Sequence, residues 1–175
     1  MHSFPELIER CTFFALHIIG EAEQLAFDEL DKSGATQHVV KLQMLQLQKV
    51  VIAVGMFSIF ESHLQQSLGC TDGFIKAKSI LKSTNNKELL LRFDYFCCAI
   101  NVLKHGRGKS YDRLLASKHC LPFQVKDQGE SFFDEGDVSE VMTLIKVDDV
   151  FLNDCAKIIR EVNEAVSSFL YKKMV

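Results

Sequence analysis

Apolar residues recur every three or four positions along three long stretches of the chain, which predicts amphipathic helices. The first helix begins at Ser3, which can cap it, with Pro5 in the first turn and Glu6 placed to complete a capping box. We expect it to end before Gly34. A single stripe of apolar positions lies along this helix: Phe4, Leu7, Ile8, Cys11, Phe14, Ala15, Ile18, Ile19, Ala22, Leu25 and Ala26.

The second predicted helix is the longest, from about Gln37 to Leu68, and Gly69 ends it. Its middle, residues 50–57, is apolar on every side. We expect such a helix to be covered all round, either by its own domain or by a second subunit. Gly55 within it would let another helix approach closely or permit a slight bend.

Two shorter helices follow. Residues 71–72 cap a third helix that ends near Leu81, and a turn rich in Ser, Thr and Asn opens a fourth over residues 87–105. Gly106 and Gly108 end the fourth helix, because glycine breaks helical periodicity.

The last third of the chain changes pattern. Residues 110–115 add one or two helical turns, whereas residues 121–125 and 141–147 look extended, with a turn region between them. This predicts a short irregular or β-hairpin insertion. A final helix begins at Asp148 or Asp149, and its apolar stripe consists of Phe151, Cys155, Ile158, Ile159, Val162, Val166, Phe169 and Leu170.

Composition agrees with one helical domain over residues 1–175. The only prolines are Pro5 and Pro122, so the region between them lacks the strongest helix breaker. With 14 Phe and no Trp, we expect a core built around phenylalanine. The predicted fold class is all-α, an up-and-down bundle of four to five helices.

Charge and cysteine content exclude several classes of protein. A formal net charge of -3 excludes a generally basic protein that coats nucleic acid, but leaves room for a local basic site. We find no run of about 18 uncharged apolar residues and no signal peptide, so we expect a cytoplasmic protein without a membrane span. The six Cys show no paired spacing and are expected to be small buried hydrophobes.

The fourth helix carries the most informative polar positions. Asp94, Cys98, Asn101 and His105 recur at spacings of four, three and four residues, and therefore share one stripe. His105 lies at the C-terminal end of the helix, where unpaired carbonyls favour a cation and so favour the imidazolium form. This placement suits a residue that exchanges a proton near neutral pH.

Cations surround the same helix end. Lys104, Arg107 and Lys109 lie among Gly106 and Gly108. Three cations on an exposed, flexible backbone predict a patch that contacts phosphate. The alternative is a solvated turn in which Asn101 and His105 simply end the helix.

The segment from Asn101 to Gly106 resembles the second half of the Arg-Asn-x-x-x-His motif of the HEPN superfamily (higher eukaryotes and prokaryotes nucleotide-binding domains). The long second helix and the final amphipathic helix are similar to the architecture of that family. The resemblance implies metal-independent RNA cleavage at the interface of a homodimer. There Arg binds the scissile phosphate, and His assists proton transfer at the ribose 2′-hydroxyl. Many members act in toxin–antitoxin, phage-defence or RNA-processing systems, which would make a cognate antitoxin a partner.

The chain departs from that motif at the arginine. Ile100 stands where Arg would precede Asn101. Arg92 lies thirteen residues before His105, about 20 Å along a helix, and cannot serve the same site within one subunit. Arg107 is nearer and could reach a phosphate from the turn. A non-catalytic relative and a weak endoribonuclease therefore both remain open.

Two further side chains are candidates. Glu61 shares the stripe of Phe57 and Leu64, and could pair with Lys104 or His105 or simply lie partly buried. Tyr111 could stack on a base, or pack against the neighbouring leucines. No metal-ligand spacing, P-loop, dinucleotide glycine motif or nucleophile elbow is present, so we expect neither metal nor cofactor.

These observations lead to two functional hypotheses. The first is an RNA- or nucleotide-binding, HEPN-like homodimer with Asn101 and His105 as catalytic residues. In it Lys104, Arg107, Lys109 and Tyr111 contact RNA, while Asp94 and Glu61 support the site. The second is a non-catalytic module for protein–protein interaction or dimerisation.

Overall fold

Six α-helices account for most of the chain. The structure, a computed structural model, describes residues 2–33, 36–127, 129–132 and 141–174. No β-strand occurs in these residues, and the predicted all-α class is confirmed. The helices are α1 (Phe4–Lys32), α2 (Thr36–Leu68), α3 (Gly73–Ser83), α4 (Lys87–His105), α5 (Lys109–Ala116) and α6 (Asp149–Met174), with a 3-10 helix at Lys118–Cys120.

The helix ends follow from local chemistry. Ser3 caps α1 by accepting from the Glu6 amide at 3.4 Å, and Asp72 caps α3 by accepting from the Ile75 amide at 2.8 Å. The Glu6 carboxylate does not complete the predicted capping box, because it binds Arg10 at 2.8 Å instead. Gly69 follows α2 with a φ of 57°, a conformation that glycine adopts without strain. The predicted stop at Gly34 lies outside the described residues.

The centre of the molecule is α2, which packs against α1, α3, α4 and α6. Its length and its contacts on several sides make it the helix around which the others assemble. Phenylalanine dominates the core, as predicted, because large rings bury the most apolar area per residue. The fully buried rings are Phe57, Phe60, Phe93, Phe96 and Phe151.

The segment before α6 is irregular over its described residues, not a two-stranded hairpin. Only Val125 and Ile145 form an antiparallel bridge, flanked by backbone bonds from Lys126 to Leu144 at 3.1 Å and from Lys146 to Gln124 at 3.0 Å. The Thr143 amide donates a hydrogen bond to the Val141 carbonyl at 2.7 Å. This local turn uses a backbone donor that a longer β-ladder would need for pairing between strands. The predicted turn at residues 133–140 lies outside the described residues.

The long helices are less completely covered than their patterns predict. On α1 the buried apolar positions include Ile8, Ile19 and Ala26, whereas Leu7 and Phe14 of the predicted stripe are exposed. The helix buries only the edge of its stripe that faces α2 and α6. In the middle of α2, residues 50–57, Val51 is exposed and the other side chains are buried or half-buried. The single chain therefore covers this stretch only in part, and its cover by a second subunit stays a prediction.

By length and composition α2 is the one helix among the described residues that could cross a membrane. Its most apolar window has a mean hydropathy of 1.4, and a third of that window is buried inside the protein. The core helices of many globular proteins meet the same criterion, so this observation is weak evidence for a span.

Candidate functional site

The polar stripe of α4 divides into two separate regions. Asn101 and His105 are exposed near the C-terminal end of the helix. Asp94 and Cys98 are largely buried, and Asp94 lies about 16 Å from His105 along the helix axis. The structure therefore brings Asn101 and His105 to one end of α4 and leaves Asp94 at a distance.

Asp94 joins three helices. Its Oδ1 lies 2.7 Å from Lys78 Nζ of α3, and its Oδ2 forms an ion pair with Arg113 of α5. A largely buried carboxylate between two cations is satisfied electrostatically, and it holds α3 and α5 against α4. Asp94 therefore acts on the candidate site by positioning helices, since its carboxylate does not reach the exposed end of α4.

A groove of about 230 Å³ brings residues of three helices together. Glu61 lines it from α2, Lys78 from α3, and Asn101 and Lys104 from α4. No ion pair joins Glu61 to Lys104 within the part of the chain that the structure describes, although the two side chains line the same groove. The other lining residues are Phe57, Ser58, Asp72, Phe74, Ile75, Cys97 and Ile100.

Close approach of α3 to α2 shapes this groove. A Cβ on Gly73 would lie 2.6 Å from the Glu61 carbonyl oxygen and 2.9 Å from Leu64 Cβ. Real side chains do not pack at such distances, so only glycine lets the start of α3 contact the backbone of α2 here. The sequence pattern that predicted a cap at residues 71–72 did not reveal this requirement at the next position.

Ile100 is the residue that stands in place of the motif arginine, and it is buried. It lines the inner wall of the groove, beside Asn101. Arg92 lies elsewhere, where its guanidinium binds Glu161 of α6 at 3.0 Å. Neither position supplies a cation next to Asn101 and His105, so within one chain any such cation comes from Lys104, from Lys78 across the groove, or from the turn after α4.

That turn exposes its cations. Gly106 has a φ of 72° and donates its amide to the Val102 carbonyl at 2.8 Å, which ends α4. Arg107 and Lys109 follow in exposed positions. The first turn of α5 has no side-chain cap and contains the carboxylate of Asp112. Uncapped amides at a helix N-terminus favour an anion.

Tyr111 is not a surface for base stacking in this structure. Its side chain is buried, and its hydroxyl donates a hydrogen bond to the Lys126 carbonyl at 2.9 Å. The packing alternative describes its position, because the first turn of α5 directs the ring toward the core. The prediction that Tyr111 contacts RNA is therefore wrong for this structure, because a buried ring cannot stack on a base.

Sequence reasoning missed Lys78. It follows Phe74 by four residues and precedes Leu81 by three, so it stands on the buried stripe of α3. A lysine at such a position requires an anionic partner or an opening to solvent. A lysine on the buried stripe of α3 was therefore the signal that could have pointed to this residue. In the structure Asp94 is its anionic partner, and the groove is its opening to solvent.

The prediction that the cysteines are buried hydrophobes holds for Cys97, Cys98 and Cys155 and is wrong for Cys11 and Cys120, which are exposed. Burial raises the pKa of Cys97 to about 12 and that of Cys155 well above its ordinary range, so both remain neutral thiols at neutral pH. No three His, Cys, Asp or Glu side chains in the described ranges are grouped closely enough to hold a metal ion.

Comparison of the chain with protein-family models, with curated protein sequences and with solved structures found no match.

Proposed function

We propose that this protein binds RNA or a nucleotide through phosphate contacts at the turn between α4 and α5. The observation that supports this most directly is that Lys104, Arg107 and Lys109 flank the uncapped N-terminus of α5, whose first turn also contains Asp112. Cations and helix N-terminal amides both favour phosphate, and here they lie within six residues of one another. The neighbouring groove supplies Asn101 as a hydrogen-bonding group for a base or ribose.

Cleavage is a weaker part of the proposal. The exposed His105 can exchange a proton, and Asn101 lies one helical turn before it on the same face. The buried Ile100 removes the cation that the HEPN resemblance places beside them. We therefore expect at most weak, metal-independent ribonuclease activity, with the HEPN-like identity and a defence or toxin–antitoxin role as parts of the same proposal.

The experiment is a titration of fluorescent single-stranded RNA at several salt concentrations. Replacing Arg107 and Lys109 with Ala should weaken binding at least tenfold and make the salt dependence shallower, because fewer counterions are released. The matched control replaces Lys82 and Lys157, two exposed lysines outside the groove and the turn, with Ala. An equal loss in both variants, or no salt-sensitive binding by the wild type, contradicts the proposal.

Cleavage is tested separately in buffer containing EDTA. We expect His105→Ala to abolish whatever slow cleavage the wild type shows, without altering RNA affinity more than about twofold. Cleavage that persists unchanged in the variant would remove His105 from the catalytic role.

A second candidate function is an interaction or dimerisation module, with the partner being another copy or a cognate antitoxin. It is favoured by the large apolar side chains that α1 and α2 leave exposed, including Phe13 and Phe14. Monomeric proteins rarely expose contiguous apolar surface of this kind. This function needs no chemistry at His105, so a stable complex together with absent RNA binding would favour it.

A further inference from the structure

A row of large apolar side chains faces water on the side of the α1/α2 pair away from the core. We call this row the outward face, and its side chains are 45–66% exposed. It consists of Leu7, Phe14, Ile18 and Leu25 of α1 and Val40, Met44, Leu47 and Val51 of α2.

The two helices present these residues on the same side. They run antiparallel, with a register set by Thr12 Oγ1 and Met56 Sδ at 3.1 Å and by Lys49 and Glu23 at 2.9 Å. This register puts the level of Ile18 near that of Val51. On both helices the centre of the exposed stripe lies more than about 100° around the axis from the centre of the buried one, although single pairs such as Leu47 and the buried Val50 are only about 60° apart. The exposed residues therefore form one two-helix surface.

The spacing of the outward face is that of a coiled-coil seam. On α2 the exposed positions 40, 44, 47 and 51 alternate steps of four and three, and Ser58 continues the pattern one heptad later. On α1 the exposed positions 7, 11, 14, 18, 21 and 25 follow the same alternation. A repeat of 3.5 residues keeps a seam aligned with a partner helix over several turns. Packing inside the single chain does not explain a 3.5-residue repeat at these positions, because their side chains are exposed.

We propose that a second copy of this chain docks its own outward face on this one, so that two α1/α2 hairpins form an intermolecular four-helix bundle. Each copy offers eight large apolar side chains, each with roughly 100 Å² accessible on the scale of large side chains. The total of about 800 Å² per copy is what a standard stable interface buries per partner.

Charge and backbone favour a protein partner over a bilayer. The α1 seam contains the exposed Glu21 at one of its six positions, a polar position that a helix interface can hold at a cost in stability and that a hydrocarbon layer disfavours. Between residues 36 and 60, α2 has no carboxylate, so two such seams can meet without like charges opposed. Gly55 has no heavy atom within 4 Å of where its Cβ would lie, which leaves room for a close helix.

This inference rests on the dimerisation named above as the second candidate function and deepens it by assigning the surface and the partner. Ser58 continues the α2 seam and also lines the groove with Asn101 and Lys104. The second copy therefore borders the candidate RNA site without covering the cations of the turn after α4.

The test is sedimentation equilibrium of the whole chain and of two matched variants. Val51→Glu places a charge in the outward face, whereas Val150→Glu does so at an equally exposed valine of α6, since the two are 62% and 64% exposed. We expect a wild-type dimer, at least a 100-fold weaker dimer for Val51→Glu, and no change for Val150→Glu. Far-UV circular dichroism should show that both variants are folded.

Several outcomes would overturn the assignment. They are a monomeric wild type at 50 µM (about the upper range of the assay), equal dimerisation of both variants, and a monomer that instead binds lipid vesicles. The RNA titration distinguishes this failure from failure of the proposed function. Val51→Glu should keep its salt-sensitive RNA binding within about threefold, whereas the Arg107 and Lys109 variant should remain dimeric.

Discussion

The hydroxyl of the buried Tyr111 donates a hydrogen bond to the backbone carbonyl of the half-buried Lys126 across 2.9 Å. The bond ties the first turn of α5 to the irregular segment after the 3-10 helix. The Val125 side chain beside it is also buried, and its backbone forms the bridge to Ile145. One side chain thus connects the candidate site turn to the insertion that precedes α6.

Tyr111→Phe should lower the free energy of unfolding by about 1 kcal/mol, because the half-buried Lys126 carbonyl loses its side-chain donor. The measurement is urea unfolding followed by circular dichroism. RNA affinity should not change, since the ring contributes packing only. Tyr171→Phe, at an exposed tyrosine, is the control and should shift stability by less than about 0.5 kcal/mol. A large loss of RNA binding in Tyr111→Phe would return this residue to the binding site.

Lys49→Met should destabilise the fold by about 2 kcal/mol, which is below the usual cost of breaking a buried pair because Asp149 is half exposed. Lys49 is buried, and its ammonium lies 2.9 Å from Glu23 and 2.8 Å from Asp149, so it joins α1, α2 and α6. Lys41→Met removes an exposed pair with Glu29 and should cost less than about 0.5 kcal/mol. Equal costs in the two variants would show that burial adds nothing.

The stability difference between the wild type and Lys49→Met depends on pH through the pKa of Lys49. Burial lowers this pKa, but hydrogen bonds and charges from Asp149 and Glu23 outweigh burial and leave it raised. A raised pKa means that the folded chain holds the proton more tightly than the unfolded chain. The contribution of Lys49 is therefore fully present below about pH 10.4, the ordinary lysine value, and declines above it. Unfolding at pH 7 and pH 9 should give the same Lys49→Met difference.

Cysteine labelling should separate exposed from buried thiols. At pH 8, iodoacetamide should modify Cys120, which is exposed, whereas Cys11 lies on the α1 seam and should be protected in the dimer and modified in Val51→Glu. Cys97 and Cys155 should react only after unfolding, because burial excludes the reagent and raises the pKa of both thiols. Peptide mapping by mass spectrometry identifies the modified positions. Rapid modification of native Cys97 would mean that α3 and α4 open far more often than their packing indicates.

Two glycine substitutions should change stability in opposite directions. Gly73→Ala should cost about 1–3 kcal/mol, because its methyl group would meet the backbone of Glu61. Gly20→Ala should stabilise by roughly 0.5–1 kcal/mol, since nothing lies within 4 Å of the added atom and Ala favours the helix. Thermal and urea unfolding of the pair checks both signs. A stabilising Gly73→Ala would show that α3 can retreat from α2 without loss.

Most of the helices were predictable because they have strong periodicity, local end chemistry or great apolar length. Ser3, Asp72 and Gly106 end or begin helices where their short-range preferences place them. The hairpin was not predictable in detail, because residues 121–125 and 141–147 are too short to show whether their backbone groups pair with each other or form local turns.

The candidate site was only partly predictable. The neighbours Asn101, Lys104 and His105 are close in sequence, and helical geometry alone places them together. The partners of Asp94 and the burial of Tyr111 depend on how α3, α5 and the insertion pack on α4, and no local pattern contains that information. The position of Lys78 in the groove was not predictable either, because it depends on how the short helix α3 packs against its neighbours.

The outward face also ties the thermodynamics of this fold to the abundance of the protein. A single chain that keeps Phe14, Met44 and Val51 in water gains stability from any copy that binds only its folded form. By mass action, the melting temperature should then rise with protein concentration, and dilution should favour unfolding and adhesion to other apolar surfaces. The amount of protein that the gene supplies would then set which fraction is dimeric and protected, and which fraction is monomeric and open to proteases.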